Sequence, residues 1–397
     1  MLTNNETSLI TLTTLTTTTT SSSTSINNNS NTSINTALID TTPTPLFFKL
    51  SKKELETGIK NIKTIDYTVV ENNVFECSEY VVKSFFDWKK EDLEFTQCRE
   101  GITNMLIKCT NKRSQESSVL IRTYGNKTDV IIDRNQEVMN QVALSKLGLA
   151  APLYGRFNNG LVYGFIPGHV FTVEDMKDPH KSSLVAKNMG IWHGVKIVDD
   201  DGYGDNDNKP LLFVTLRNWM NEVQRIYKNK EIKNINIDVL NEEITSLEKE
   251  LLKTNSPVVF SHNDLLYANI IYDDRSDKVT FIDYEYSNYG YAYFDIANHF
   301  NEFGGLECDY SLYPNKKFQL QWLGHYLNAR HPGKSATEKE TNELYRKVNK
   351  FSLASHLYWL CWALIQHHLS TIEFDYLDYA LLRFNEYYKK KDEFLKL

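Results

Sequence analysis

Four residues in the carboxyl-terminal half of the chain have types and spacings suited to phosphoryl transfer. Asp264 is followed five positions on by Asn269, within the run SHNDLLYAN at 261–269. That spacing lets a carboxylate accept the proton of a hydroxyl while an amide oxygen beside it holds magnesium. Nineteen residues after Asp264 comes Asp283, with Glu285 two further on. Strand side chains repeat every two residues, so an extended segment at 281–285 turns both carboxylates toward one cation. Magnesium suits them, since it takes oxygen ligands and binds through one or two carboxylates plus substrate phosphates. His262 stands in the same run and joins Asp264 and Asn269 as a candidate catalytic residue. Singly, these residues would also furnish a strand-end turn or a solvated loop. Their order between apolar segments favours the chemical reading.

Such a loop has to be held by strands, and the apolar runs at 258–260 and 270–272 supply them. Upstream, 119–124 alternates as a strand does, and 133–147 carries Val138, Val142, Leu144 and Leu147 as the apolar stripe of a helix. Arg122 on that strand and Glu137 on that helix have the placement of a phosphate-binding cation tied to a glutamate; a surface ion pair is the plain alternative. Lys108 competes as the cation, or is a solvated lysine on the first hairpin. The turn at 100–105, around Gly101, has fewer glycines than a Walker A or dinucleotide fingerprint, and on spacing alone an ordinary hairpin turn fits it better. A strand at 161–166 is closed by Pro167-Gly168, the punctuation of a hinge between a smaller amino-terminal lobe and a larger helical one. Helical spacing follows at 182–195, 216–228 and 237–253. The Asp/Asn/Gly-rich stretch 198–210 reads as a surface loop and lacks the ligand order of a calcium-binding EF-hand.

From Tyr289 on, the chain reads as helical and aromatic. Tyr358, Trp359 and Trp362 fall within about one helical turn, and Tyr376 and Tyr379 are three apart, so each set projects to a common side. Aromatic faces attract organic cations, although large aromatics at helical spacing more commonly form core.

Composition bounds the rest. With 397 residues and 41% hydrophobic content the chain has ample material for a core. A formal net charge of −7, with no basic stripe, argues against a nucleic-acid partner. Five scattered cysteines without close pairs fit a reduced, cytoplasmic protein rather than a zinc or redox site. No apolar run is long enough to span a bilayer, and the expectation is no secretory or mitochondrial leader and no stable membrane insertion. Residues 1–43 are a Thr/Ser/Asn-rich tail, too polar to offset the entropy of ordering. The oligomeric state, a homodimer included, is left open.

Between about residues 94 and 390 the chain resembles the choline and ethanolamine kinases, relatives of the aminoglycoside phosphotransferases and, more remotely, of protein kinases. The segments carrying the resemblance are REGITNMLIKC at 99–109, VLIRTYG at 119–125, VVFSHNDLLYANIIY at 258–272, FIDYEYSNYGYAYFDIANHFNEFGG at 281–305, DYSLYP at 309–314 and IEFDYLDYALLRF at 372–384. Choline kinases continue His-Asn-Asp toward Gln-Glu-Gly-Asn, whereas here Leu265, Leu266, Tyr267 and Ala268 precede Asn269. The likeness is therefore closer to the ethanolamine branch.

The resemblance implies an α+β, bilobal, protein-kinase-like fold: a small β-rich, nucleotide-binding lobe at 44–166 and a larger, mostly helical lobe at 167–397 with the loop and an amino-alcohol pocket. It implies ATP and Mg2+ as cofactors and phosphorylation of ethanolamine to phosphoethanolamine, the first step of the CDP-ethanolamine route to phosphatidylethanolamine. Gly101, Ile102, Thr103 and Asn104 match the family's nucleotide-binding loop, Arg122 its phosphate-contacting arginine and Glu137 its helix glutamate. Asp264 matches the catalytic base, Asn269, Asp283 and Glu285 the magnesium and nucleotide region, and Trp359, Trp362 and Tyr376 fall where the amine pocket lies. Choline or dual specificity is one rival reading, and a nucleotide-binding pseudokinase scaffold another. A protein kinase is disfavoured by Tyr-Glu after Asp283 and by the lack of Ala-Pro-Glu.

Overall fold

The computed structural model describes residues 48–98, 104–113, 117–125, 131–198, 209–228, 230, 232, 234–370 and 372–397. The tail at 1–43, Gly101, Ile102, Thr103 and most of the stretch at 198–210 lie outside the described residues.

A six-stranded sheet runs in the order Lys63–Thr64, Leu153–Phe157, Gly160–Gly164, Ser118–Tyr124, Asn104–Asn111, Leu93–Cys98. All its pairings are antiparallel except that of the short edge strand Lys63–Thr64. In Ser118–Tyr124 the pleat sends Val119 and Ile121 to one face, where they pack with Ile107, Phe157 and Val162 and with Val81 and Val82 of the helix Val74–Phe85. Arg122 consequently emerges on the other face, toward the helix Arg134–Lys146. That helix starts where its cap dictates: the Asp133 side chain accepts from the amides of Asn135 and Gln136, and Glu137 sits buried in the first turn.

A second, larger core is built around the helix Glu338–Leu369, with 32 residues the longest of the described elements, started by a reciprocal capping box between Thr337 and Glu340. Its middle, from Phe351 to Gln366, is buried without interruption, and the helix Tyr376–Leu395 lies against it. The expected helices are found as Pro179–Trp192, Leu212–Ile226 and Ile237–Leu252. No helix among the described residues is long and apolar enough to cross a membrane.

The strands flanking the loop are Val258–Ser261 and Ile270–Asp273. They belong to two different ribbons. Val258–Ser261 pairs antiparallel with Asn288–Tyr291, while Ile270–Asp273 pairs with Lys278–Phe281 on one side and His169–Val170 on the other. Next to the expected hinge, Gly168 has φ +130°, and a Cβ there would lie 2.4 Å from the carbonyl oxygen of Tyr272. Only glycine combines that backbone with so close an approach.

Two expectations are corrected. The segment 281–285 is not extended throughout: the strand ends at Phe281, Asp283 takes a left-handed φ of 66°, and Ser287 closes a turn onto Tyr284. Alternation therefore does not set the directions of Asp283 and Glu285. The chain also does not turn helical at Tyr289, because Asn288–Tyr291 is needed as partner for Val258–Ser261, and the helix begins at Ala292.

Candidate active site

The loop is held from behind by one carboxylate. Asp295, in the first turn of the helix Ala292–Asn301, accepts from the backbone amides of His262 at 2.8 Å and Asn263 at 2.7 Å. It also pairs with His193 Nε2 at 2.9 Å, whose Nδ1 meets the Tyr326 hydroxyl at 2.7 Å. Burial works against the charged form of Asp295, but these donors hold its pKa below the usual value. Asn263 adopts φ 65° and donates from its amide to the Tyr286 carbonyl at 3.0 Å, which turns the chain so that Asp264 leads back toward Asn269.

Asn269 donates to Asp264 twice, to the carbonyl at 2.7 Å and to Oδ2 at 3.1 Å. Its amide oxygen is thus the atom suited to a cation. Burial, reinforced by Asp283, Glu302 and Glu285, pushes the Asp264 carboxyl well above the usual carboxylate range, opposed by the Asn269 amide. Burial also lowers the His262 pKa, leaving a neutral ring. Its Nε2 lies 2.9 Å from the Ile282 carbonyl and its Nδ1 3.3 Å from the Asp264 amide. Both ring nitrogens therefore engage backbone, and the ring braces the loop against the segment that carries Asp283.

Arg122 gathers the remaining acids. Its guanidinium lies 2.9 Å from Glu137 Oε1 and 3.0 Å from Asp283 Oδ1, and pairs with Glu285. Arg134 reaches Glu137 at 2.9 Å and Glu285 at 3.1 Å, with its guanidinium 3.9 Å from the Tyr124 ring centroid. Two guanidinium groups thus face three carboxylates. Burial would weaken the charge on Arg122, but Asp283, Glu137 and Glu285 hold its pKa well above the ordinary value. Lys108 takes no part in this cluster; its ammonium lies 3.7 Å from the Phe165 ring centroid. Asn104 pairs with Tyr124 in the sheet, and residues 99–103 before it lie outside the described residues.

The two expected metal acids part company here. The Glu285 side chain is 2% exposed and lies against both arginines, whereas that of Asp283 is 28% exposed. Asp283 Oδ1 lies 3.0 Å from Arg122, and its carboxylate is the more exposed of the two. An aspartate carboxylate and an asparagine amide oxygen are a donor set whose chemistry fits magnesium. Among the described residues no group of three or more His, Cys, Asp or Glu side chains is arranged to hold a metal. Magnesium needs no such group, because substrate phosphates complete its shell.

An aromatic wall is tied to the loop through Asn298, which donates to the Asn263 carbonyl at 3.1 Å. Trp359 donates from Nε1 to Asn298 Oδ1 at 2.7 Å and Trp362 to the Tyr286 hydroxyl at 2.8 Å. Their rings meet edge to face at 5.5 Å, and Trp362 meets Tyr376 at 5.7 Å and Tyr379 at 6.4 Å. Tyr358 meets Trp359 edge to face at 5.3 Å and also packs on Trp219 and Phe294 in the core. Sequence reasoning missed Arg134, His193, Asp295, Asn298, Glu302 and Arg383. A signal existed for three of them, since Asp295, Asn298 and Glu302 stand at i, i+3 and i+7, on one side of a helix.

Comparison with known proteins places this geometry. Residues 95–388 match the family described as choline/ethanolamine kinase. A probable ethanolamine kinase A of Dictyostelium discoideum is 39% identical over 343 residues, covering 83% of this chain and 96% of that protein. Ethanolamine kinase 2 of Homo sapiens is 41% identical over 308 residues, 77% of this chain and 78% of its own length. Among solved structures, an ethanolamine kinase of Plasmodium vivax superposes with a TM-score of 0.72 at 31% identity, covering 85% of this chain and 92% of that one. A choline kinase of Cryptosporidium parvum gives 0.70 at 26%, covering 81% and 96%. The sheet lobe and helical lobe are those of the expected α+β, bilobal, kinase-like fold, and the chain belongs to the choline/ethanolamine kinase family.

Proposed function

We propose that the protein transfers the γ-phosphoryl group of ATP to the hydroxyl of ethanolamine, giving phosphoethanolamine and ADP and so supplying phosphatidylethanolamine synthesis. The observation that carries this reading is the closed pair of Asp264 and Asn269, 3.1 Å apart at Oδ2, with Asp283, Glu302 and Glu285 close enough to push the Asp264 carboxyl upward. Asp264 orients the substrate hydroxyl and accepts its proton, the role its raised pKa favours. Arg122, fixed by Glu137, neutralises phosphate charge, and the stretch Gly101, Ile102, Thr103 and Asn104 is assigned to the nucleotide. Asn269 and Asp283 are the residues that would hold Mg2+, which when bound draws negative charge off the phosphate oxygens. Glu285 acts through the arginines, and His262 by keeping the loop in place. Most of the rate enhancement then comes from positioning and electrostatics.

A primary ammonium brings three N–H donors, which two facing carboxylates can accept, whereas a trimethylated one relies on aromatic faces alone. Glu302 lies beside the rings through the Arg383 it shares with Tyr379, and the relatives above named ethanolamine kinase agree with that choice. The test is ADP release with MgATP and matched concentrations of ethanolamine and choline. Ethanolamine is expected to be the better substrate. A preference for choline would overturn the substrate, and no turnover with any amino alcohol would overturn the reaction.

A further inference from the structure

Arg383 is the one cation of the helix Tyr376–Leu395 that is wholly buried, and its contacts lead into the amine pocket. Its Nη2 donates to Glu302 Oε1 at 2.6 Å, and Nε and Nη2 donate to the Tyr379 hydroxyl at 3.0 and 2.6 Å. Glu302 is near enough to push Asp264 upward, and the Tyr379 ring packs on Trp362. One guanidinium therefore grips both an acid and an aromatic of the wall. Tyr310 and Cys308 lie against the same guanidinium, the Tyr310 ring 5.9 Å from it and 5.0 Å from the His356 ring.

We infer that Arg383 is a positioning residue for the amino-alcohol substrate: it fixes Glu302 and Tyr379 while leaving the contact with the substrate ammonium to them. The physical reason is the grip itself: a carboxylate and a phenol bound to one buried guanidinium each keep a single orientation toward the pocket. Arg383 supplies the countercharge while using a single oxygen of Glu302. A like-charged neighbour for a cationic substrate then serves that substrate's binding through the acid it holds.

This inference rests on the amino-alcohol kinase reading, and the experiment separates the two. The KM for ethanolamine, the KM for ATP, kcat and the thermal midpoint are measured for the wild type, Arg383→Met and Arg383→Lys. The expected result for Arg383→Met is a rise of about tenfold or more in the ethanolamine KM with the ATP KM nearly unchanged. Arg383→Lys, which restores charge without the fork, should recover part of the loss. If Arg383→Met does not fold, the double variant Arg383→Met/Glu302→Gln removes both buried charges and should show the same selective rise. A folded variant with unchanged ethanolamine KM, or equal rises in both KM values, overturns the positioning role. A wild type inactive on every amino alcohol overturns the functional reading, and the positioning role with it.

Discussion

Asn269 binds Asp264 through both the backbone carbonyl and Oδ2, at 2.7 and 3.1 Å. The five-residue spacing is therefore a closed structural unit, in which one side chain fixes the direction of the other and keeps its own oxygen turned elsewhere. Asp264→Asn preserves the shape but removes the base. Turnover should fall by about 10²–10⁴ while the thermal midpoint barely moves; near-normal ADP release would refute the role of Asp264.

Asp283 and Glu285 differ in what they touch, and metal titration should separate them. Asp283→Asn should raise the magnesium concentration for half-maximal activity by about tenfold or more, and chelation should abolish turnover of the wild type. Glu285→Gln should leave the magnesium requirement nearly as it was and lower stability instead, because it unbalances Arg122 and Arg134. Equal magnesium defects in both variants would show that Glu285 is itself a ligand.

Removing Arg122 strands three acids. Arg122→Met should cost about 3–5 kcal/mol of stability, as breaking a buried pair does, and raise the KM for ATP more than that for ethanolamine. Arg122→Lys should rescue little, since a single ammonium cannot reproduce the fork that meets Glu137, Asp283 and Glu285. Urea unfolding and initial-rate kinetics together decide this.

His299 sets an acid limit. Its Nδ1 lies 2.9 Å from the Leu265 carbonyl in the loop, and burial pushes its pKa from 6.5 down to about 4. A histidine depressed in the folded state takes its proton more readily when unfolded, so stability is full above about pH 6.5 and falls as the pH drops from there toward about 4. The shift is worth about 3 kcal/mol. Urea midpoints across this range should decline, and His299→Gln should flatten the slope. A wild-type profile that stays level to pH 4 would contradict the burial of a neutral ring.

How far the site could be read in advance follows from distance along the chain. Asp264 and Asn269, and Arg122 and Glu137, are local pairs whose spacing carries the chemistry directly. His193 and Asp295 meet across 102 residues and Arg383 and Glu302 across 81, so no window of sequence contains either relationship. Asp283 failed differently: its left-handed backbone breaks the two-residue period on which its direction was inferred.

The pleat that separates Arg122 from Val119 and Ile121 also guards against misassembly. Were Ser118–Tyr124 to pair one residue out of step with Asn104–Asn111, every side chain would change faces. The guanidinium would enter the apolar layer beside Val81 and Phe157, and Ile121 would be thrust among Glu137, Asp283 and Glu285. An error of a few ångströms in the sheet thus carries the penalty of a buried, unpaired charge. Arg122 acts as a proofreader of the strand that bears it.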